Sequence, residues 1–192
     1  MLPKVSELLS KSASEHSHLC PRQVLGVRMG LAGLAALGLK APVSTRTALV
    51  IIETGGCFAD GIRVATGATV GHRTLRVEDL GKVAATFTNL KTESSLRLAP
   101  RLDVRIRALA YAPKEKRRYF AQLQGYQEMP DEEMFIFQSV ELRTPASTII
   151  SHQNARAVCS NCGEEIINEC EIVQQGLVLC RTCAHGGYYH LK

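Results

Sequence analysis

The chain has 192 residues and a formal net charge of +5 at pH 7, with 45% hydrophobic and 21% charged residues. This composition excludes an intrinsically disordered chain and is typical of a globular domain with a small appendage. The longest uncharged apolar run, residues 29–39, is too short for a membrane span, which needs about 20 residues. Residues 1–11 lack the pattern of a secretory signal, so we expect a cytoplasmic protein that contacts no membrane.

Apolar periodicity predicts the helices and strands of the first 143 residues. Helices are predicted where apolar residues recur every three or four positions, and strands where they alternate or form β-branched runs. The predicted helices cover residues 1–15, 21–39, 60–65 and 113–124. The predicted strands cover residues 47–53, 74–77, 84–89, 95–98 and 134–142, with the three middle ones interpreted as a meander. Residues 102–106 alternate as in a strand, although the alanines that follow equally suit a helix.

Three glycines, Gly26, Gly30 and Gly33, lie on one side of the predicted helix 21–39. Each interior glycine costs about 1 kcal/mol of helix propensity relative to alanine. Three on one side therefore predict that the backbone of this helix packs closely against a sheet or another helix.

A cluster of histidine and cysteine precedes that helix. His16, His18 and Cys20 lie within five residues, directly before Pro21, which suits the first position of a helix. Free N–H groups and the helix dipole favour a thiolate at such an N-terminus, and imidazole and thiolate are ligands of borderline-soft divalent metals. Cys57 follows a predicted strand and a Gly-Gly turn, where strand ends and helix N-termini meet. We therefore predict a metal or thiol site at the His/Cys cluster, with two surface histidines as the alternative. For Cys57 taken alone, we favour a half-buried cysteine without a functional role.

The positive charge of the chain is local. Residues 101–118 carry seven basic and two acidic residues. Such a patch suits nucleic acid or an anionic ligand. No aromatic residues are interleaved through its first half to stack bases, so we favour a solvated strand and helix face and regard nucleic acid as an unfavoured partner.

Four cysteines near the C-terminus have the spacing of a zinc site. They form two CxxC pairs separated by 17 residues: Cys159 with Cys162, and Cys180 with Cys183. Four thiolates close a tetrahedron and leave no open position, so we predict a structural zinc that supplies the folding energy of the module. Residues 171–174 and 177–179 are the predicted arms of a hairpin. Three further side chains are predicted not to be ligands: Cys170, His185 and His190.

Cysteine usage and composition also bear on compartment and domain organisation. Seven cysteines without an export signal favour bound metal in a reducing compartment over a disulfide framework. Residues 144–157 combine proline, serine and threonine without a sustained period. We therefore predict a linker at 144–157 between a metal-site domain, 1–143, and a four-cysteine zinc domain, 158–192.

Together these motifs resemble the FmdE family, which takes its name from one component of formylmethanofuran dehydrogenase. The matching segments are HxHLCP at 16–21, ETGGCFADGIRVATG at 53–67, DLGK at 79–82 and the C-terminal CxxCGE, CRxCA and YY. The combination is more specific than any of its pieces. One departure is that Ser17 and Arg22 stand where the family usually has glycine, which bears on access to the site.

The resemblance implies an α+β fold, with a thioredoxin-like core in which helices flank a mixed five-stranded sheet, and a small zinc-ribbon or treble-clef domain. It also implies a homodimer and, through the dehydrogenase, an oxidoreductase complex as partner. The N-terminal metal ligands that it implies are His18, Cys20 and Cys57. The neighbouring residues that it offers as catalytic candidates are His16, Asp60 and Lys82.

Three classes of function follow from these features. The first is a metal-binding accessory protein or metal-dependent enzyme of one-carbon or redox metabolism, with a structural zinc and an open His/Cys site for zinc or another divalent ion, whether filled or empty as isolated. The second is a zinc-finger module that binds nucleic acid or a partner protein. The third is a thiol redox protein that pairs Cys20 with Cys57, which needs Cα atoms within about 7 Å and no metal. We favour the first.

Overall fold

The computed structural model describes residues 5–16, 18–43, 46–151 and 155–189. The chain divides into two compact units, Met1–Ala146 and Ser147–Lys192. None of the described helices is long and apolar enough to cross a bilayer. Some predicted features lie outside the described residues: the first four residues of helix 1–15, Ser17 of the histidine–cysteine cluster, residues 152–154 of the linker, and His190.

The first unit is an α+β fold built on one mixed sheet of five strands. Its helices are α1 (Val5–Ser14), α2 (Pro21–Ala36), α3 (Cys57–Thr66), α4 (Val104–Ala110), α5 (Arg118–Glu128) and α6 (Asp131–Met134). Its strands are β1 (Ala48–Ile52), β2 (Leu75–Val77), β3 (Ala85–Asn89), β4 (Ser95–Pro100) and β5 (Phe135–Val140). The strand order is β2-β1-β3-β4-β5, in which only the β1–β2 pair is parallel. The mixed five-stranded sheet and the α+β class are therefore confirmed.

Strand β1 is internal, as its uninterrupted apolar run predicts. Val50 pairs with Leu75 of β2 on one side and with Phe87 of β3 on the other. The predicted meander is therefore wrong for its first strand, because β1 separates β2 from β3. A parallel pair needs a long crossover connection, and α3 supplies it between β1 and β2.

Helix α2 packs between α3 and the strands β3 and β4, where the core of this unit lies. A Cβ atom added at Gly26 would overlap the carbonyl oxygen of Phe58 in α3, and one added at Gly33 would overlap the ring of Phe87 in β3. The close approach predicted from the glycines of this helix is confirmed, and it involves both a helix and the sheet.

Residues 104–110 form helix α4, so the strand pattern of residues 102–106 was misleading. Only Val104 and Ala108 of this helix are buried. That spacing of four is helical, but a segment of seven residues is too short for periodicity to distinguish it from alternation.

Helix α5 begins at Arg118, later than predicted, and continues through Gly125, where we expected it to end. Gly125 serves helix packing instead of helix termination. A Cβ atom at this position would overlap the carbonyl oxygen of Ala108 in α4. The two helices can therefore approach closely only because residue 125 has no side chain.

The second unit consists of two hairpins and a short terminal helix. Its elements are β6 (Arg156–Val158), β7 (Glu165–Ile167), β8 (Ile172–Gln174), β9 (Leu177–Leu179) and α8 (Arg181–His185), and α7 (Ala146–Ser151) lies at the boundary. Strand β6 pairs with β7, and β8 with β9, both antiparallel. The predicted hairpin arms are confirmed as β8 and β9. The predicted linker, by contrast, contains α7 and the start of β6.

Candidate functional site

The four predicted zinc ligands converge in the second unit. The sulfur atoms of Cys159, Cys162, Cys180 and Cys183 all lie within 4.8 Å of one another. Zinc–sulfur bonds of about 2.3 Å place tetrahedral sulfurs about 3.8 Å apart, and the sulfurs of Cys162 and Cys180 are 3.9 Å apart. This cluster is therefore capable of binding a metal ion such as zinc.

Backbone N–H groups donate hydrogen bonds to sulfur atoms of the four-cysteine cluster. The N–H of Cys180 donates to the sulfur of Cys159 at 3.2 Å. The N–H of Cys183 donates to the sulfur of Cys180 at 3.3 Å, and Cys180 is the N-cap of α8. Hydrogen bonds from the N–H groups of Cys162 and Cys180 lower the pKa of Cys159 to about 6. Since the thiolate is the form that binds metal, these contacts favour ligation by Cys159. Burial and the neighbouring thiols instead raise the pKa of Cys162 and of Cys183, so metal binding would release protons from these two. Cys170 lies outside the cluster, with its thiol 3.7 Å from the carbonyl oxygen of Asn168.

In the first unit, Cys20 and Cys57 come together at the N-termini of two packed helices. Cys20 is the N-cap of α2, and Cys57 is the first residue of α3, after Gly56. Cys20 is near enough to raise the pKa of the Cys57 thiol, and both thiols are free and half-buried. The helix N-terminus and the turn after β1 thus meet, as the sequence pattern predicts.

A buried glutamine fixes the position of Cys20. The side-chain oxygen of Gln23 accepts a hydrogen bond from the Cys20 N–H at 2.8 Å. The amide nitrogen of Gln23 donates to the carbonyl oxygen of Ser12 in α1 at 3.1 Å. We did not predict a role for Gln23 from the sequence, although a glutamine three positions after an N-cap has the spacing of a capping box.

His16 and Asp60 lie beside Cys57. The His16 Nε2 is 2.9 Å from the Asp60 Oδ2, which links the chain after α1 to α3. Burial raises the pKa of the Cys57 thiol, and contact with Cys20 and the charge of Asp60 raise it further. Without a metal, this thiol is therefore protonated at neutral pH. Tyr119 lines the same cavity as Cys20. Burial, and then the charges of Cys20 and Cys57, raise the pKa of its hydroxyl; no sequence pattern indicated this residue.

The other two predicted site residues lie apart from the thiol pair. His18 is exposed, and its ring does not join Cys20 and Cys57 in a set of ligand atoms within 4.8 Å of one another. Within the described ranges, the four-cysteine cluster is the only set of three or more His, Cys, Asp or Glu side chains at that distance. Lys82 is exposed and lies in the wall of a cavity that Cys20 also lines.

That cavity has a volume of about 740 Å³. Its wall is formed by the start of α2, the segment before β3, strand β4, helix α4 and helix α5. Cys20 and Tyr119 both line it, so the thiol pair lies at its edge. A small molecule in the cavity would therefore contact the Cys20 side chain.

Comparisons with known proteins agree with this architecture. A sequence model described as FmdE, molybdenum formylmethanofuran dehydrogenase operon, matches residues 15–136. A curated protein of Archaeoglobus fulgidus, named probable S-adenosyl-L-methionine-binding protein, is 30% identical over 209 aligned residues, which cover 97% of this chain and 54% of that protein. The chain thus spans about half the length of this relative.

A solved structure shares the fold. The crystal structure of a tungsten formylmethanofuran dehydrogenase FmdE-like protein from Syntrophus aciditrophicus superposes with a TM-score of 0.60 at 18% identity, covering 97% of this chain and 95% of that chain. The matched residues 15–136 make up well over half of the chain and include both cysteines of the thiol pair. The chain therefore belongs to the FmdE family.

Proposed function

We propose that this protein binds two metal ions in unlike sites and acts as an accessory protein or metal-dependent enzyme of one-carbon or redox metabolism. One ion, zinc, is structural and is held by the four C-terminal cysteines. The other is a divalent ion held by Cys20 and Cys57 with one position open to an exogenous ligand. The observation that supports this second site is that the two thiols lie at the N-termini of two packed helices, where Cys20 also lines a cavity.

An open site needs three protein ligands, and the thiol pair supplies two of them. His18, two residues before Cys20 and exposed, is the proposed third; its side chain would adopt another rotamer to reach the ion. Two sulfurs and one imidazole form a donor set that zinc and other borderline-soft ions accept. Metal binding would also release the proton that burial and the neighbouring groups keep on Cys57.

The bound ion would polarise an oxygen or sulfur atom of a substrate. The protein's own groups would orient the substrate and move protons around it. His16, held by Asp60 at 2.9 Å, is the proposed proton carrier. Lys82, which lines the cavity, would hold a negatively charged group of the substrate.

Cobalt substitution tests the second site. Co²⁺ bound to thiolates absorbs through sulfur-to-metal charge transfer, and the absorbance rises with the number of Co–S bonds. Wild type should therefore show the summed absorbance of both sites. A Cys20→Ser/Cys57→Ser variant should lose part of this absorbance and keep that of the C-terminal cluster, while the control Cys170→Ser should match wild type. Identical spectra for wild type and the double variant would rule out the proposed site.

The A. fulgidus relative is named for S-adenosyl-L-methionine, which carries two cationic groups, a sulfonium and an ammonium, and one carboxylate. The described residues that line the cavity beside Cys20 include five cations and no carboxylate. They would attract the carboxylate but repel the two cationic groups, so the net positive charge of that molecule weighs against this cavity as its site.

Three further expectations remain proposals: a cytoplasmic location, a homodimer, and association with an oxidoreductase complex. Light scattering on the purified full chain tests the second. A mass of twice 21.0 kDa supports a dimer, and a monomer at micromolar concentration contradicts it.

A further inference from the structure

We propose that the cavity beside Cys20 binds a small organic oxyanion, a molecule with an apolar body and one or more carboxylate or phosphate groups. This inference goes beyond the proposed metal site and does not depend on a metal at Cys20. It rests on the charge of the cavity wall, on the character of its floor, and on its volume.

Five cationic side chains line the cavity: Arg22, Lys82, Arg97, Arg101 and Arg105. They come from α2, the segment before β3, β4, the segment after β4, and α4. Within the described part of the chain, no carboxylate or imidazole shares the wall with them. Positive charges that lie close together repel one another and destabilise the folded chain. A bound anion would offset this repulsion.

One of these cations is already neutralised. Arg97 donates from Nε and Nη2 to the buried carboxylate of Glu53, at 2.6 and 2.8 Å, and from Nη1 to the side-chain oxygen of Gln138 at 3.0 Å. These three bonds hold the guanidinium in one orientation. Arg97 is therefore a rigid part of the wall and not the main source of its charge.

The other four cations retain their charge. Among the described residues, none of Arg22, Lys82, Arg101 and Arg105 has a carboxylate within 4.0 Å. Arg101 is nevertheless oriented, since its Nε donates to the carbonyl oxygen of Glu132 at 3.0 Å. This arrangement leaves a net positive cavity in which one of the four charged side chains, Arg101, is already oriented for a charge-assisted hydrogen bond to an oxyanion.

The floor of the cavity is apolar. Leu25, Val104 and the ring of Tyr126 line it and are buried in the fold. Tyr119 and Leu102 stand at the rim with large exposed areas. An apolar floor beneath a cationic wall suits a ligand with a hydrocarbon or aromatic body and charged ends.

The volume favours a small molecule over a polymer. At about 740 Å³, the cavity lies within the range of about 300–1,000 Å³ that is typical of small-molecule sites. Nucleic acid instead needs cations and aromatic rings arranged along a surface that follows the backbone. Arg101 and Arg105 are exposed, as the solvated face that we favoured from the sequence requires, and they also line the cavity.

Calorimetric titration of the full chain at low ionic strength tests the proposal with two anionic probes, benzene-1,3,5-tricarboxylate and phenyl phosphate. The neutral benzene-1,3,5-tricarboxamide serves as the ligand control. Arg105→Gln removes one cation from the wall. Its matched control is Arg107→Gln, on the same helix, also exposed, and outside the lining.

We expect at least one anion to bind once per chain and the amide not to bind. Arg105→Gln should weaken anion binding by about threefold to tenfold, the loss of one charge-assisted contact, and Arg107→Gln should leave it unchanged. The tighter probe identifies the ligand as carboxylate or phosphate. Two results would overturn the proposal: no binding of either anion to wild type at millimolar concentration, or equal weakening by both substitutions. Because neither cysteine is altered, failure here is distinguishable from failure of the cobalt experiment.

Discussion

The guanidinium of Arg97 donates two hydrogen bonds to the carboxylate of Glu53, from Nε to Oε1 at 2.6 Å and from Nη2 to Oε2 at 2.8 Å. Glu53 follows β1 and Arg97 lies on β4, so the pair reaches across β3. Because the hydrogen bonds from Arg97 outweigh burial, the pKa of Glu53 is lowered. The pair thereby ties the end of an internal strand to the cavity wall.

The pH dependence of stability follows from this pair. A carboxylate whose pKa is lower in the folded state stabilises the fold above its unfolded value of 4.5, and that stabilisation is lost as pH falls through the folded pKa. Glu53→Gln should lower the free energy of unfolding by about 1–3 kcal/mol at neutral pH. Urea unfolding at several pH values should show the difference from wild type shrinking below about pH 4.

The control for this experiment is Asp103→Asn, which removes a carboxylate from an exposed pair with Arg107. Exposed pairs contribute little, so we expect no measurable change in unfolding. A Glu53→Gln effect that is as small as that of the control would contradict the structural role of the Glu53–Arg97 pair.

Gly26→Ala tests the close contact of α2 with α3. The new Cβ atom would overlap the carbonyl oxygen of Phe58, and a backbone atom cannot move away as a flexible side chain can. Overpacking should outweigh the helix propensity gained and lower the free energy of unfolding by about 1–3 kcal/mol. Gly71→Ala is the control, since nothing lies within 4 Å of its added Cβ atom. Equal stability of the two variants would show that the helices lie further apart.

Cys162→Ser tests the C-terminal metal site. Three remaining thiolates bind zinc more weakly, and a unit this small depends on the metal for its folding energy. We expect the variant to lose about one zinc per chain and the second unit to become sensitive to protease, while the first unit stays resistant. Cys170→Ser, outside the cluster, should behave as wild type. Retention of zinc in Cys162→Ser would mean that other ligands hold it.

Local sequence patterns predicted those parts of the fold that depend on neighbouring residues. Helix α2, the run of β1 and the spacing of the two CxxC pairs each carry their information within a few turns or one hairpin. The prediction of a meander was wrong because local patterns do not show where the chain returns to the sheet after α3. It returns beside β1, on the side opposite to β3. Helix α4 was not predicted because its buried face contains only two residues, Val104 and Ala108.

The candidate site likewise contains residues that local patterns indicated and residues that they did not. Cys20 and Cys57 were predicted to meet because each lies at a helix N-terminus or a strand end, positions that topology brings together. Tyr119 and the Glu53–Arg97 pair were missed, since long-range packing alone brings them to the site. The cationic cavity was indicated only in part. The basic patch of residues 101–118 contains Arg101 and Arg105, whereas folding alone brings Arg22 and Lys82 to the same wall.

Metal content per chain tests the central claim most directly. Elemental analysis is carried out on the full chain and on a Cys20→Ala/Cys57→Ala variant, each before and after dialysis against a mild chelator. We predict two metal ions in freshly metal-loaded wild type, one of them removed by the chelator, and one retained ion in the variant throughout. A single tightly held ion in both proteins, before and after dialysis, would contradict the second site.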